Sequence, residues 1–330
     1  MLYLIDHPYH HDPTVNLALE EYLMRHLNLS HDYFLVYINQ PCVVVGRHQN
    51  IFEEVNYPLC IEFNLPVVRR ISGGGTVYHD EGNVNFSFIT RYEKHKFNNY
   101  QYFNTPILKV LHSLGIKAEL NGRNDIVVNQ KKISGNAQFT SKDRMFSHGT
   151  LLYSADLERI HSLLHHPSGA IQSRAIKSVR GNVANIYQLM NQPLNMESFI
   201  RLLIESVFAG QGEIPLYRPT TAEWENIFTL AKDKYQSWEW NFGESPDFTF
   251  QNTITSSMGR MNVQLEIKRG YIADLKLSNL KFLKVSTENL KKKLIGTRYD
   301  MQSVSHALED FRLQPEQKKM MRRLFWGDSA

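Results

Sequence analysis

Val67 to Ile89 reads VVRRISGGGTVYHDEGNVNFSFI, and the rest of the chain is organised around it. Two apolar, strand-like segments flank three consecutive glycines, with Arg69 and Arg70 just before them and His79 and Asp80 just after. Glycine lets a backbone approach a ligand closely, and successive N–H groups can turn inward as an anion nest. Two guanidiniums at the end of the preceding strand add charge suited to bidentate contacts. The stretch fits neither G-x-x-x-x-G-K-[ST] nor G-x-G-x-x-G, so it is no standard P-loop and no dinucleotide fingerprint. The alternative is a glycine-rich hairpin whose arginines are merely solvated, and the stretch alone leaves both readings open.

Upstream, Asp12 as N-cap and Pro13 at the first helical position open a helix. Its Val15, Ala18, Leu19, Tyr22, Leu23 and His26 fall on one inward face. Strands are expected over 32–38 and 42–46, then a short helix over 53–64. Downstream come a strand over 83–90 and a helix over 100–114 with Ile107, Leu108, Val110 and Leu111 inward. Further strands are expected over 117–120, 126–129, 132–134 and 145–154, with a hairpin around Gln130, and a helix over 157–165. The polar run 167–185 reads as a lid, because loops this long in compact domains are usually functional or disordered. Helices over 196–208 and 222–235 precede a stretch of linker composition at 241–246. Beyond it lie a hairpin turning at Arg269-Gly270 and short helical stretches around Leu290, Leu308 and Met320. The pattern predicts an α+β fold: mixed β-sheets with flanking helices over 1–242, a linker over 243–250, and a small α/β domain over 251–330.

A net charge of +4 over 330 residues is too mild to imply nucleic-acid binding. The last fifty residues are richer in base (Lys291, Lys318, Lys319, Arg322 and others), which reads as a solvated helical face or a surface for an acidic partner. Cys42 and Cys60 have no C-x-x-C spacing and make no disulfide scaffold. The N-terminus lacks a basic region, and no stretch nears the roughly 20 apolar residues of a membrane span, so a soluble cytoplasmic protein is expected. His10-His11 and His165-His166 lack metal-ligand spacing.

A second stretch, Asn121 to Gln138, reads NGRNDIVVNQKKISGNAQ. Together the two resemble the lipoate–protein ligase A family. RRISGGGTVYHD is similar to its R-R-x-S-G-G-G-x-V-x-H-D, and GRNDIVVNQKKISGNAQ to its N-D-[IL]-x-V…K-[IV]-S-G segment, which carries the active-site lysine. Both motifs are long, rare and correctly ordered, and WNFGESPDF extends the likeness to the boundary before a small C-terminal domain.

The resemblance implies a biotin/lipoyl protein ligase-like catalytic domain that uses ATP to turn free lipoate into lipoyl-AMP. The lipoyl group would then pass to a lysine of an acceptor, the lipoyl domain of a 2-oxoacid dehydrogenase E2 subunit or the glycine-cleavage H protein. It implies that Lys132 is catalytic and that Arg70, Ser72, Gly73, Gly74, Gly75, Thr76, Val77, Tyr78 and His79 join it in holding ATP and lipoyl-AMP. Asn83, Asn124, Asp125, Gly135, His148 and Arg180 are further candidates, with Asp125 as an oxygen ligand for Mg²⁺. His79 reads equally well as a structural histidine of the loop. Lys131 should face away from Lys132 if the segment is extended. Val43, Val44, Val45 and Val77 are candidates for an apolar slot, and a monomer is expected.

Two other functions remain. An acyltransferase of the same fold would work without ATP through a cysteine thioester, but Cys42 lies in an apolar strand and Cys60 in an expected helix, so neither reads as activated. A non-catalytic carrier-domain binder would not need the glycine loop paired with Lys132. A biotin ligase would share the logic, but G-R-G-R-x-G is absent.

Overall fold

The computed structural model describes residues 1–8, 10–122, 124–164, 171–179, 181–256, 259–279 and 286–327. The chain divides into two compact units. One comprises Met1–Arg47, Pro66–His161 and Ser178–Gln236, the other His48–Leu65, Ser162–Lys177 and Ser237–Ala330.

The first unit is built on an eight-stranded mixed sheet. Its strands are β1 (Leu2–Ile5), β2 (Asp32–Tyr37), β6 (Asn83–Arg91), β7 (Glu119–Asn121), β8 (Asp125–Val128), β9 (Lys131–Ser141), β10 (Arg144–Leu152) and β12 (Leu216–Tyr217), in the order β12-β1-β2-β6-β10-β9-β8-β7. Strand β1 was not expected; its apolar run pairs parallel with β2. At the centre, β6 alternates with the period of a strand. Val84, Phe86 and Phe88 face the main apolar core, where Phe103, Ile107 and Leu111 of the helix Tyr100–Ser113 meet Phe199 and Leu203 of the helix Met196–Val207. Each large side chain buried there stabilises the fold by about 1.5–3 kcal/mol. The intervening Asn83, Asn85 and Ser87 are buried too. The sheet therefore covers a polar interior on its other face.

A smaller sheet of the same unit, in the order β4-β3-β5, joins β3 (Cys42–Val45), β4 (Val67–Arg69) and β5 (Val77–His79). Strand β4 pairs parallel with β3 and β5 pairs antiparallel with its other edge. The glycine loop between β4 and β5 thus crosses the end of β3 instead of closing a hairpin. Arg70 N–H donates to the Val45 carbonyl (3.0 Å) and Arg47 N–H to the Ser72 carbonyl (2.8 Å), which seats the loop there.

The helix Pro13–His26 begins with the expected Asp12 cap, whose side chain accepts from Thr14 N–H. It is buried on nearly every side rather than on one face: Asn16, Glu20 and Glu21 are as buried as Leu19 and Leu23, while Tyr22 is half-buried and His26 is exposed. The expected helix 222–235 is Thr221–Leu230 running into a single π turn, Ala231–Tyr235. There Lys234 Nζ (2.7 Å) and the Tyr235 hydroxyl (2.6 Å) both donate to Glu21.

The second unit carries a four-stranded antiparallel sheet, β11 (Ile171–Ser173), β13 (Phe248–Ser256), β14 (Gly259–Lys268) and β15 (Tyr271–Ser278), in the order β11-β13-β14-β15. The turn Arg269-Gly270 has positive φ at both residues (50° and 77°), as a tight I′ hairpin requires. Strand β13 begins at Phe248. The single helix expected over 53–64 is two, Ile51–Glu54 and Tyr57–Glu62. They break where Asn56 caps the second helix and Pro58 enters its first turn. Phe52 packs against Phe242, Phe248 and Tyr299. Helices Thr287–Leu294, Met301–Glu309 and Pro315–Trp326 stand where helical stretches were expected. Among the described residues no helix is long and apolar enough to cross a membrane.

Candidate active site

The glycine loop is braced from beneath by Arg70. Its guanidinium donates to the Ser72 hydroxyl (3.0 Å) and to the carbonyls of Val44 (3.2 Å), Gly73 (2.7 Å) and Gly75 (2.7 Å). Burial brings its pKa down to about 10, so it stays charged at neutral pH. Four of its N–H donors thus hold the loop and the end of β3. Arg69 is fully buried and donates to the carbonyls of Gly46 and Arg47.

The brace continues inward in one direction. Ser72 accepts from Arg70 and so turns its own O–H to His148 Nε2 (2.8 Å); His148 Nδ1–H then donates to Glu20 (2.9 Å). A buried guanidinium and a buried carboxylate thus sit at opposite ends of one hydrogen-bonded chain. Sequence reasoning found Ser72 and His148 but missed Glu20, which sits in a run that reads as an ordinary amphipathic helix.

His79, 4% exposed, takes a hydrogen bond from Asn39 Nδ2 on its Nδ1 (2.9 Å). That leaves the ring proton on Nε2, which has no partner among the described residues. Burial first, then the neighbouring Arg70 and His148, push its pKa down to about 3, so the ring is neutral. Asn83 Oδ1 and Ser87 Oγ are two of eight other buried side-chain atoms without a partner among the described residues. Buried polar groups are normally satisfied, so these orphans mark where a ligand or water belongs. Tyr78 is buried and Thr76 nearly so, while Val77 is half-buried. Val43, Val44 and Val45 are core residues of β3.

The second motif forms the hairpin β8–β9. Its two-residue turn, Asn129-Gln130, has positive φ at both positions (48° and 63°). Pairing slips by one residue between Ile126 and Val127: Ile126 faces Ser134, but Val127 faces Lys132, leaving Ile133 as the extra residue of a bulge. The bulge brings Lys132 and Gly135 to one face, with Lys132 Nζ 2.9 Å from Asp125 Oδ1. Lys131 is exposed. Asn124 is clipped to β9, its Nδ2 donating to the Asn136 carbonyl and its own carbonyl accepting from Asn136. Among the described residues no three His, Cys, Asp or Glu side chains converge on a metal position. Asp125 is paired with the Lys132 ammonium rather than standing free for a cation.

Ser178 contacts the first motif, and residues 182–184 contact the second. The Ser178 hydroxyl accepts from Thr76 N–H (2.9 Å). Farther along, Lys132 N–H donates to Asn182 (2.7 Å) and Ala184 N–H to Lys132 (3.0 Å), so this stretch runs beside Lys132 as a short parallel bridge. Gly74 also faces β9, since a side chain there would meet Ala137 at 3.7 Å. Ser178 was not singled out from the sequence. Arg180 and residues 165–170 lie outside the described residues. Both thiols are buried, with Cys42 pushed well up and Cys60 up to about 12 by burial, so neither is a thiolate nucleophile.

Residues 12–208 match the family described as lipoyl protein ligase A/B catalytic domain, and residues 245–325 match bacterial lipoate protein ligase C-terminus. Lipoate–protein ligase 1 of Staphylococcus aureus is 44% identical over 302 residues, covering 92% of each chain. Among solved structures, lipoate–protein ligase A bound with ATP is 25% identical, with a TM-score of 0.63 over 74% of this chain and 98% of that one. Plasmodium falciparum LipL1 in complex with lipoate, at 22% identity, shares the fold with a TM-score of 0.62 over 99% of this chain and 98% of that one. Fold and relatives together define a ligase. The chain belongs to the lipoyl protein ligase A/B family, and it carries that family's bacterial C-terminal domain as well.

Proposed function

We propose that this chain is an ATP-dependent lipoate–protein ligase. A lipoate carboxylate oxygen attacks the α-phosphorus of ATP, pyrophosphate leaves, and lipoyl-AMP forms. The ε-amine of an acceptor lysine then attacks the lipoyl carbonyl; AMP leaves, and the proton lost from nitrogen passes to solvent. The first step brings two anions together, so fixed positive charge and N–H dipoles must offset their repulsion and the charge growing on the phosphoryl oxygens. Lys132 supplies the ammonium, and the loop from Gly73 to Gly75 supplies backbone N–H groups. Arg70 holds that loop in shape. His79 Nε2–H and Asn83 Oδ1 offer a donor and an acceptor to a ligand inside the sheet.

The observation that carries this reading is the pairing of two motifs within one unit: Ser178 holds the glycine loop over the end of β3, Asn182 and Ala184 hold the bulged strand at Lys132, and Gly74 of the loop faces β9. Relatives named for lipoate ligation, and one solved with ATP, support the chemistry. We assign catalysis to 1–242 and an accessory role to 251–330. The acceptor is a lipoyl domain of a 2-oxoacid dehydrogenase E2 subunit or the glycine-cleavage H protein. Magnesium would enter on the phosphate oxygens of ATP as part of the substrate. Lipoate-dependent pyrophosphate release that disappears in Lys132→Ala is the expected result. No release from folded wild type would sink the assignment.

A further inference from the structure

The ion pair at the end of β8 has more built around it than a surface contact needs. Lys132 and Gly135 are three positions apart, so in a regular strand their side chains would point to opposite faces. The extra residue Ile133 cancels that alternation and puts the lysine over the glycine. A Cβ on Gly135 would stand 2.8 Å from Lys132 Nζ and 2.9 Å from its Cε, whereas Asp125 Oδ1 would be at an ordinary 3.8 Å. Gly135 is not among the glycines of positive φ, so its backbone does not require glycine. The path of the lysine does. At the far end of that path, Asp125 holds the ammonium at 2.9 Å, with 32% of the lysine side chain and 34% of the carboxylate exposed. Ordinary exposed pairs are worth little and hold no fixed geometry. This one is guided by the bulge and by Gly135, and the Lys132 backbone is tied to Asn182 and Ala184.

We propose that Asp125 and Gly135 are positioning residues for Lys132, the carboxylate clamping the ammonium and the missing side chain opening its route, and that Asp125 is not a metal ligand. The catalytic consequence rests on the function proposed above; the clamp itself does not.

Two measurements separate these. In the first, wild type and variants are acetylated with limiting acetic anhydride, and modification of Lys132 is counted by mass spectrometry. Asp125→Asn frees the amine from its partner, so Lys132 should be modified several-fold faster. Unchanged reactivity overturns the clamp whether or not the protein is a ligase. The second is lipoate-dependent exchange of pyrophosphate into ATP. Gly135→Ala puts a methyl carbon 2.8 Å from Nζ and must displace it, so kcat should fall on the order of 10- to 100-fold. Asp125→Asn should lower kcat about tenfold while the Mg²⁺ concentration for half-maximal rate stays put. Neither change should slow Lys132→Ala any further, since the group being positioned is already gone. Losses that multiply with Lys132→Ala, or a raised Mg²⁺ requirement in Asp125→Asn, would overturn the proposal. Wild-type protein that shows the reactivity difference but no exchange would keep the clamp and discard the ligase.

Discussion

The three glycines of the loop are not equivalent, and their differences give a sharp test. Gly74 has φ of +90°, and a Cβ there would meet Arg70 Nη2 at 3.0 Å. Gly74→Ala should therefore destabilise the fold by about 1–2 kcal/mol from the backbone alone. Displacement of the guanidinium that holds the Gly73 and Gly75 carbonyls adds to this. Gly73 has ordinary φ and nothing within 4 Å of its missing Cβ. Gly73→Ala should leave the fold intact, or stabilise it by about 0.4–1 kcal/mol through a less flexible unfolded chain. Among the described residues nothing crowds position 73, so a side chain there would project into open space beside the loop. A methyl group there stands off an incoming phosphate and weakens at least one charge-assisted hydrogen bond, worth about 1.5–3 kcal/mol. ATP affinity should fall on the order of 10- to 100-fold. Titration calorimetry with ATP beside thermal melting reads both quantities. A Gly73→Ala protein that melts normally and binds ATP like wild type would refute the loop as the nucleotide cradle.

Three further outcomes follow from the same geometry. His79 has a folded pKa near 3 against 6.5 when unfolded, so its contribution is complete above pH 6.5 and fades as pH falls toward 3. Between pH 7 and 5 it should remove about 2 kcal/mol, and urea melts of His79→Gln should show a correspondingly flatter pH dependence; an identical slope would count against the buried neutral ring. Arg70→Lys cannot span four acceptors with one nitrogen. It should cost about 2–4 kcal/mol in urea unfolding as loop carbonyls lose their partners, and wild-type stability would show that the brace is dispensable. Ser178→Ala removes the acceptor of Thr76 N–H, so trypsin should cut faster after Lys177, and an unchanged rate would mean the hydroxyl does not hold that segment down.

Much of the fold was legible because periodicity and punctuation agreed. The Asp12-Pro13 helix start and the Arg269-Gly270 turn appear where local chemistry placed them, and the hairpin expected around Gln130 turns at Asn129-Gln130, one residue into the expected strand. Elements that depend on distant pairing were not. Strand β1 needs β2 and β12 beside it, and the break between Ile51–Glu54 and Tyr57–Glu62 follows from a cap that competes with an unbroken apolar run. Lys132 was legible from its motif, yet not its alliance with Asp125, because a one-residue bulge reverses which side chains share a face. Glu20 and Ser178 carry no local mark at all. One is a carboxylate in a helix buried on all sides, and the other a serine 102 residues from the amide it caps.

The site's polar groups divide into those already satisfied and those left waiting, and that division assigns their roles. Arg69, Arg70, Ser72, His148 and Glu20 have partners inside the protein, and these contacts brace the glycine loop over the end of β3. Among the described residues His79 Nε2 and Asn83 Oδ1 are buried without partners, and Gly73 faces open space. Those positions have desolvation already imposed and nothing gained from it, so they favour whatever ligand completes them. Lys132 falls between the two groups. Its ammonium has a partner, but a half-exposed one that a phosphoryl or carboxylate oxygen can replace at little cost. A cation that must neutralise an approaching anion, and later release it, is best kept in such a replaceable pair, aimed by Asp125 yet not trapped by it.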